Sequence, residues 1–563
     1  MRPGTARFPE ASDLVRTLAL DRPEVDPVTL ESWATHLGEP VVDPMELRTW
    51  LARGSLPEVF ADTAHRESAS SAITVRGRVV SHGDLDALAG RAAACLDRVG
   101  VEAGSRVLVV ADVGIEEIAT YLGVLRLGAT AVLANPTLTI EEMGVLVTNS
   151  ESGWVVGSGR GLERASAIHH QGLLEVVGLR EPDRGVASVM LGDVTPAALS
   201  PRSVDPESAA VLAFTSGTTG RPKPTPLSHR NLLASVRGVM AAWRWHRDDH
   251  LVHSLPISHQ HGLSGVHATL LAGSRATLLG SFDGEETLDT VVRGAGTVHF
   301  GVPATYQRLL DRLGSRVTGL SALRLAVSGS DSLPVDIALR YSEQVGQDLL
   351  ERYGTTEAGL NVSNPYLGAR KPGLVGLPLP GVEVALADKS ENPVGEGEAG
   401  EILIRGPHVF SGYLGIAESS QPFVQGWFGT GDLGISDPET RYLRIVGRTK
   451  EVIITGGMNV YPREVEEVLR RHPRVTDAAV IGVASARWGE EVVAVVSPVD
   501  LDPDAVLGFA AERLAPYKRP KRVFPVEVIP RSDVGKLRRA AVDRIIPLAG
   551  AEVPPDGIGS PLP

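Results

Sequence analysis

The sequence predicts an α/β protein: a large N-terminal domain of wound α/β subdomains with a small β-barrel, then a small α+β C-terminal domain. Three observations predict this. From about residue 70 to residue 360, continuous apolar runs alternate with stretches whose apolar residues recur at helical spacing. That alternation marks buried parallel strands joined by helices. From about 372 to 447 the chain is dense in Gly and Pro between short alternating strands, which suits a small antiparallel barrel. After Arg448 a compact helix-and-strand pattern runs to about residue 530.

Taken in order, residues 1–61 are punctuated by proline and read as an N-terminal extension with two short helices. The large domain is placed at 62–447. Strand-forming runs pair around Gly77, and a helix opens near Ser81 or His82. Residues 106–111 form a buried strand, 114–127 a helix closed by Gly128, and 129–134 a second buried strand, together one βαβ unit. "VLAF" at 211–214 is a strand. Ser228 caps a helix with Leu232, Leu233, Val236, Val239 and Met240 on one face. Thr215 to Leu227 is then a long loop between them. The small domain, 448–547, has helices over 463–470 and 503–514 and strands near 477–483, 491–497 and 522–529. Residues 548–563 have the composition of a disordered tail.

The charge balance narrows the function classes. A net charge of −13 comes from interspersed acids, and no basic stripe with interleaved aromatics appears. Nucleic acid is therefore not the expected partner. Cys95 is the single cysteine, which rules out an internal disulfide and suits a reducing cytoplasm. No run of about 18 apolar residues predicts a membrane span, and the N-terminus lacks the apolar core of a signal peptide. A cytoplasmic monomer or homodimer is expected.

"TSGTTGRPKPTPLSH" (215–229) carries the first chemical signal. Gly217 and Gly220 let backbone N–H groups fold toward an anion. Thr215, Ser216, Thr218 and Thr219 add hydroxyls, and Lys223 adds a positive charge. It is not a Walker A loop, because Pro222 and Pro224 flank the lysine and no Ser or Thr follows it. Further motifs follow in order: "ERYGTTEAG" (351–359), "GWFGTGDLG" (426–434), "YLRIVGRTKEVIITGGMNVYPREVEEVL" (442–469) and "PRSDVGKLRR" (530–539).

This ordered series resembles the adenylate-forming superfamily of acyl-CoA synthetases, nonribosomal peptide adenylation domains and luciferases, over about residues 62–545. Pro224 departs from the pattern, where Gly usually follows the lysine. The resemblance implies that the C-terminal domain is mobile, and that ATP, Mg²⁺ and, as second substrate, CoA are bound. It implies that Thr215, Ser216, Gly217, Thr218, Thr219, Gly220 and Lys223 hold the ATP phosphates. Thr356 would touch the α-phosphate. Glu357, with Thr215, would hold Mg²⁺, which suits a hard cation. Asp432 and Arg448 would contact the ribose. Lys450 would be the hinge of the small domain, and Gly456 and Gly457 would line the CoA tunnel after rotation. Lys536 would bridge carboxylate and α-phosphate during adenylation, where its ammonium stabilises growing charge.

The implied reaction has two halves: a carboxylate attacks the α-phosphorus of ATP, and a thiol then attacks the acyl carbon. "HQHGL" (259–263) together with "RYGTTEAGLNVSNP" resembles the malonyl-CoA and methylmalonyl-CoA synthetase branch, so a short dicarboxylate is expected. The resemblance implies an acid pocket of His261, Arg324, Ser328, Gly329, Gly354 and Thr355, with Arg324 on the distal carboxylate. An arginine fork suits a carboxylate. Thr355 stands where that branch usually has Met, and Asp331 where it has a small residue. Alternatives are a medium-chain or aromatic acyl-CoA ligase, a different acceptor such as a carrier-protein thiol or an amine, or a non-carboxylate substrate such as nitrite. "RLAPYKRPKRV" (513–523) is a basic cluster, either a solvated face or a contact to CoA phosphates.

Overall fold

The computed structural model describes residues 25–110, 113–157, 175–178, 187–188, 198–215, 222–485, 487–531 and 537–548. Among the described residues three helices come first, Pro27–Leu37, Pro44–Ala52 and Leu56–Arg66. Each begins with proline in its first turn, where a missing N–H costs nothing. Strands β1 (Ser71–Val75) and β2 (Arg78–Ser81) pair as a hairpin. The helix His82–Arg98 follows, capped by the Ser81 hydroxyl. Then come β3 (Arg106–Val110), the helix Ile115–Arg126, β4 (Thr130–Ala134), β5 (Trp154–Gly157), β6 (Glu175–Gly178) and β7 (Ala187–Ser188). Strands β8 (Ala209–Thr215) and β9 (Lys223–Ser228) complete a seven-stranded sheet of order β7-β6-β5-β3-β4-β8-β9.

The helix His229–Ala242 leads to β10 (His250–His253), β11 (Arg275–Leu278), β12 (Val298–Gly301), β13 (Leu325–Ser328), β14 (Leu350–Thr355), β15 (Gly359–Ser363) and β16 (Leu377–Pro378). These build a nine-stranded sheet of order β16-β15-β14-β13-β12-β10-β11-β1-β2. Strands β10 to β14 run parallel, and β10, β12 and β13 are wholly buried, as their apolar runs require. Where a small barrel is expected, β17 (Glu383–Ala387), β18 (Ala399–Arg405), β19 (Phe423–Val424), β20 (Trp427–Ser436) and β21 (Leu443–Arg448) form a five-stranded sheet. A second five-stranded sheet holds β22 (Ile453–Thr455), β23 (Met458–Val460), β24 (Asp477–Ser485), β25 (Gly489–Ser497) and β26 (Arg522–Pro525). Helices Pro462–Arg470 and Pro503–Ala511 contribute Val465, Leu469, Val506 and Ala510 to its core.

The chain divides into two compact units: Met1–Ala385 with Leu403–Thr430 and Glu439–Leu443, and Leu386–Ile402 with Gly431–Pro438 and Arg444–Pro563. The sequence places the break at 447/448; here it falls at Leu443/Arg444, and two earlier segments join the second unit.

Two expectations need correction. The span Thr215 to Leu227 is not one long loop. Lys223–Ser228 is a strand, antiparallel to β8, with Thr215 directly opposite Lys223. Its prolines hide it from sequence reasoning, yet β9 lies at the sheet edge, where a missing N–H is tolerated. From residue 25 on, the stretch before residue 62 enters three helices, where two are expected, and it packs into the large unit. Trp33 is fully buried and donates its indole N–H to the Val382 carbonyl at 2.8 Å. Arg237 donates to the carbonyls of Trp50, Leu51 and Arg53 at the end of the second helix, where cations are favoured. The tail 549–563 lies outside the described residues.

Candidate active site

The expected phosphate loop lies between β8 and β9. Ser216, Gly217, Thr218, Thr219 and Gly220 lie outside the described residues. Its two ends are described, and the strand pairing brings Thr215 and Lys223 together. Leu414 donates its N–H to the Pro224 carbonyl at 3.0 Å, tying β9 to the segment around Tyr413. The Lys223 ammonium stands 4.7 Å from the centre of the Tyr413 ring.

Parallel strand β14 ends at Thr355, and the turn to β15 carries Thr356 and Glu357. The ends of strands are where open α/β sheets bind ligands. The Thr355 hydroxyl accepts from the Ala358 N–H at 3.1 Å, so it braces the turn. Gly354 is required by close approach: a Cβ there would lie 2.2 Å from the Gly359 carbonyl oxygen. The Glu357 carboxylate is half-buried and accepts from the Tyr413 hydroxyl at 2.7 Å. No group of three or more His, Cys, Asp or Glu able to hold a metal occurs among the described residues. A single carboxylate near a phosphate loop still fits Mg²⁺, which takes one or two carboxylates and completes its shell with water and phosphate oxygens.

The parallel neighbours β13 and β14 frame the expected acid pocket. Ser328 closes β13, fully buried, and its hydroxyl has no partner among the described residues. Ser330 has a left-handed φ of 70°, a strained conformation for a residue with a Cβ. Its hydroxyl meets Nδ1 of His261 at 3.1 Å, and Nη2 of Arg352 lies 3.5 Å away, at the limit of a hydrogen bond. Gly329 makes room for that guanidinium, because a Cβ there would lie 2.3 Å from its Nε. His261 starts the helix Gln260–Ala272, its ring 5.1 Å from that of Phe300, with Nε2 unpartnered among the described residues. Burial, then the charge of Arg352, keeps its pKa well below the usual value, so the imidazole is neutral.

Arg324 does not belong to this group. Its Nε and Nη2 fork onto both oxygens of fully buried Asp249 at 2.7 and 2.5 Å, and Nη1 donates to the Trp243 carbonyl. The expectation that it grips a substrate carboxylate is corrected, because its donors are spent inside the fold. Among the described residues here, the cation without a carboxylate partner is Arg352, which sequence reasoning passed over. It is buried, its Nε has no hydrogen-bond partner, and no carboxylate pairs with it among the described residues. Burial alone pulls its pKa down to about 9. A charged residue inside the apolar strand "LLERY" is the signal that was there to read.

In the second unit, buried Asp432 accepts from Nε of Arg448 at 2.8 Å. These two expected ribose contacts are thus brought together. Lys450 is exposed on the short 3₁₀ turn Thr449–Glu451. Gly456 and Gly457 make the tight turn between β22 and β23 with φ of 57° and 80°, both exposed. Lys518 of the basic cluster is committed to Glu464 at 2.6 and 2.8 Å. Lys536 lies outside the described residues.

The family model "AMP-binding enzyme" matches residues 60–414, and "AMP-binding enzyme C-terminal domain" matches residues 464–536. The chain is 34% identical over 504 residues to the probable CoA ligase CCL9 of Humulus lupulus, covering 86% of this chain and 96% of that protein. It is 37% identical over 372 residues to the mitochondrial malonate–CoA ligase ACSF3 of Mus musculus, covering 59% of this chain and 63% of that one. The crystal structure of ATP-bound MatB from Rhodopseudomonas palustris superposes with a TM-score of 0.80 at 35% identity, covering 87% of this chain and 99% of that one. Among the described residues, no helix is long and apolar enough to cross a membrane.

Proposed function

The chain belongs to the AMP-binding enzyme family, and from that premise we propose that it is an AMP-forming acyl-CoA ligase for a short dicarboxylic acid such as malonate or methylmalonate. The observation that carries the substrate class is Arg352. A buried guanidinium with no carboxylate partner is costly, and a ligand that brings a carboxylate removes that cost. The second carboxylate of a short diacid is then free to react. Neutral His261 and the Ser328 and Ser330 hydroxyls give the same pocket donors and acceptors without a competing negative charge.

One carboxylate oxygen attacks the α-phosphorus of ATP, the bond to the β-phosphate oxygen breaks, and pyrophosphate leaves with that electron pair. A CoA thiolate then attacks the acyl carbon and AMP departs. Thr215, Lys223 and the loop between them hold the phosphates in this reading, Thr356 contacts the α-phosphate, and Asp432 with Arg448 holds the ribose. Glu357 would hold Mg²⁺, which when bound would offset phosphate charge. Lys536 supplies the ammonium for the first half-reaction. Gly456 and Gly457 line the thiol's path in the second, after the small domain turns about Lys450. The malonate–CoA ligase similarity supports the substrate class, and the similarity to ATP-bound MatB supports the nucleotide.

The test is to incubate the protein with Mg²⁺, ATP, CoA and a panel of acids, and to identify thioesters by mass spectrometry. Malonyl-CoA or methylmalonyl-CoA with AMP is the expected product. Turnover of only fatty or aromatic acids overturns the diacid assignment, and the absence of any CoA thioester overturns CoA as acceptor.

A further inference from the structure

Tyr413 lies outside every role assigned so far, yet it touches two of them. Its hydroxyl donates to Oε1 of Glu357 at 2.7 Å, and its ring face lies 4.7 Å from the Lys223 ammonium. The carboxylate and the ammonium are 134 residues apart in sequence, by subtraction of 223 from 357, and one aromatic side chain contacts both.

The backbone around Tyr413 is pinned on every side. Phe410 donates its N–H to the Glu357 carbonyl at 2.9 Å, and Leu414 donates to the Pro224 carbonyl. The Gln421 side chain accepts from the Tyr413 N–H at 2.7 Å and donates to its carbonyl at 2.9 Å. The Tyr413 ring packs edge-on against fully buried Phe410, with centroids 5.0 Å apart. Phe410 is itself packed on Phe423 and Phe428. A side chain held this firmly can fix the groups that rest on it.

We propose that Tyr413 is a positioning residue for the metal-bound nucleotide. Its hydroxyl occupies one oxygen of Glu357, holding the carboxylate in one rotamer with the other oxygen presented to the cation. Its ring face seats the Lys223 ammonium at the mouth of the phosphate loop, a cation–π contact. The freely rotating states of a half-exposed glutamate and lysine are removed before the nucleotide arrives, so less entropy is lost on binding. This rests on the reading that the chain binds Mg²⁺ and ATP.

The test compares the whole wild-type chain with Tyr413→Phe and Tyr413→Leu. Calorimetry measures ATP binding with Mg²⁺ and with EDTA, and thermal unfolding reports the fold. Tyr413→Phe keeps the ring and loses the hydroxyl. It should weaken Mg²⁺-dependent binding roughly tenfold, as loss of a hydrogen bond to a charged group does, and leave metal-free ATP binding and the melting temperature unchanged. Tyr413→Leu should weaken metal-free binding as well. In a Glu357→Gln background Tyr413→Phe should add nothing. The inference is overturned if Tyr413→Phe leaves the Mg²⁺ dependence untouched, or if it lowers metal-free binding and melting temperature alike. A wild-type chain that binds no ATP with Mg²⁺ overturns the nucleotide reading itself, and the role of Tyr413 with it.

Discussion

Arg324 and Asp249 are locked together, the guanidinium fork spanning both carboxylate oxygens at 2.7 and 2.5 Å. Asp249 is fully buried and also accepts from the His246 N–H and the Thr297 hydroxyl. Burial pushes the carboxyl pKa up, and the hydrogen bond and charge of Arg324, with the hydrogen bonds from His246 and Thr297, together leave it below the ordinary value. Breaking such a pair strands a buried charge, so Arg324→Ala should cost about 3–5 kcal/mol of stability. The ratio of kcat/KM between diacid and monoacid should stay unchanged. Denaturant unfolding and a two-acid kinetic comparison check both parts. A change of acid preference would return Arg324 to the pocket.

Acid should unfold the protein early. His36, His229 and His299 are held down to about 4, and His253, His267 and His408 to about 3, all by burial first. The unfolded chain takes up these protons near pH 6.5 and the folded chain does not. The unfolded state therefore binds more protons below pH 6.5, and stability falls as pH drops from there toward 4. Each group contributes about 1.4 kcal/mol per pH unit in that window. The melting temperature should fall by ~10 °C or more between pH 7 and pH 5. A flat profile would mean that these imidazoles open to solvent.

Helix Pro27–Leu37 should be required for folding. Trp33 lies in one apolar cluster with Leu37, Leu47, Leu51 and Ala234. Trp33→Ala should cost about 3–5 kcal/mol and leave KM for ATP unchanged in the folded fraction. Urea denaturation with parallel kinetics measures this. A neutral effect would restore the view of these residues as a dispensable extension.

The parts of the fold legible in the sequence were those set by local pattern. The buried runs at 106–110 and 130–134 became strands, and Ser228 became the helix cap, because apolar periodicity and capping act over a few residues. The N-terminal helices were legible in principle, since Pro27 and Pro44 each follow a capping aspartate. Strand β9 was hidden because its prolines oppose strand propensity, and only its place at the sheet edge reconciles them. The grouping of the residues expected to form an acid pocket was half legible. His261, Ser328 and Gly329 converge near Ser330 and Arg352, whereas Arg324 was misassigned because its partner Asp249 is 75 residues away in sequence. No spacing rule joins such a pair before folding does, and none joins Tyr413 to Glu357.

Asp432 and Arg448 offer a separate check on the nucleotide. Asp432→Ala removes the acceptor expected for the ribose hydroxyls and its ion pair with Arg448. KM for ATP should rise roughly 10- to 100-fold, the loss of a charge-assisted contact, with KM for the acid unchanged. Steady-state kinetics with either substrate varied will show it. An equal rise in both constants would indicate a general loss of structure.

If Arg352 selects a second carboxylate, its removal must change one ratio: kcat/KM for malonate over kcat/KM for propionate, in wild type and in Arg352→Met. The wild-type ratio should lie well above one and fall by ~100-fold or more in the variant, with propionate turnover retained or raised. A wild-type preference for the monoacid, or a ratio that survives the loss of the guanidinium, would contradict it.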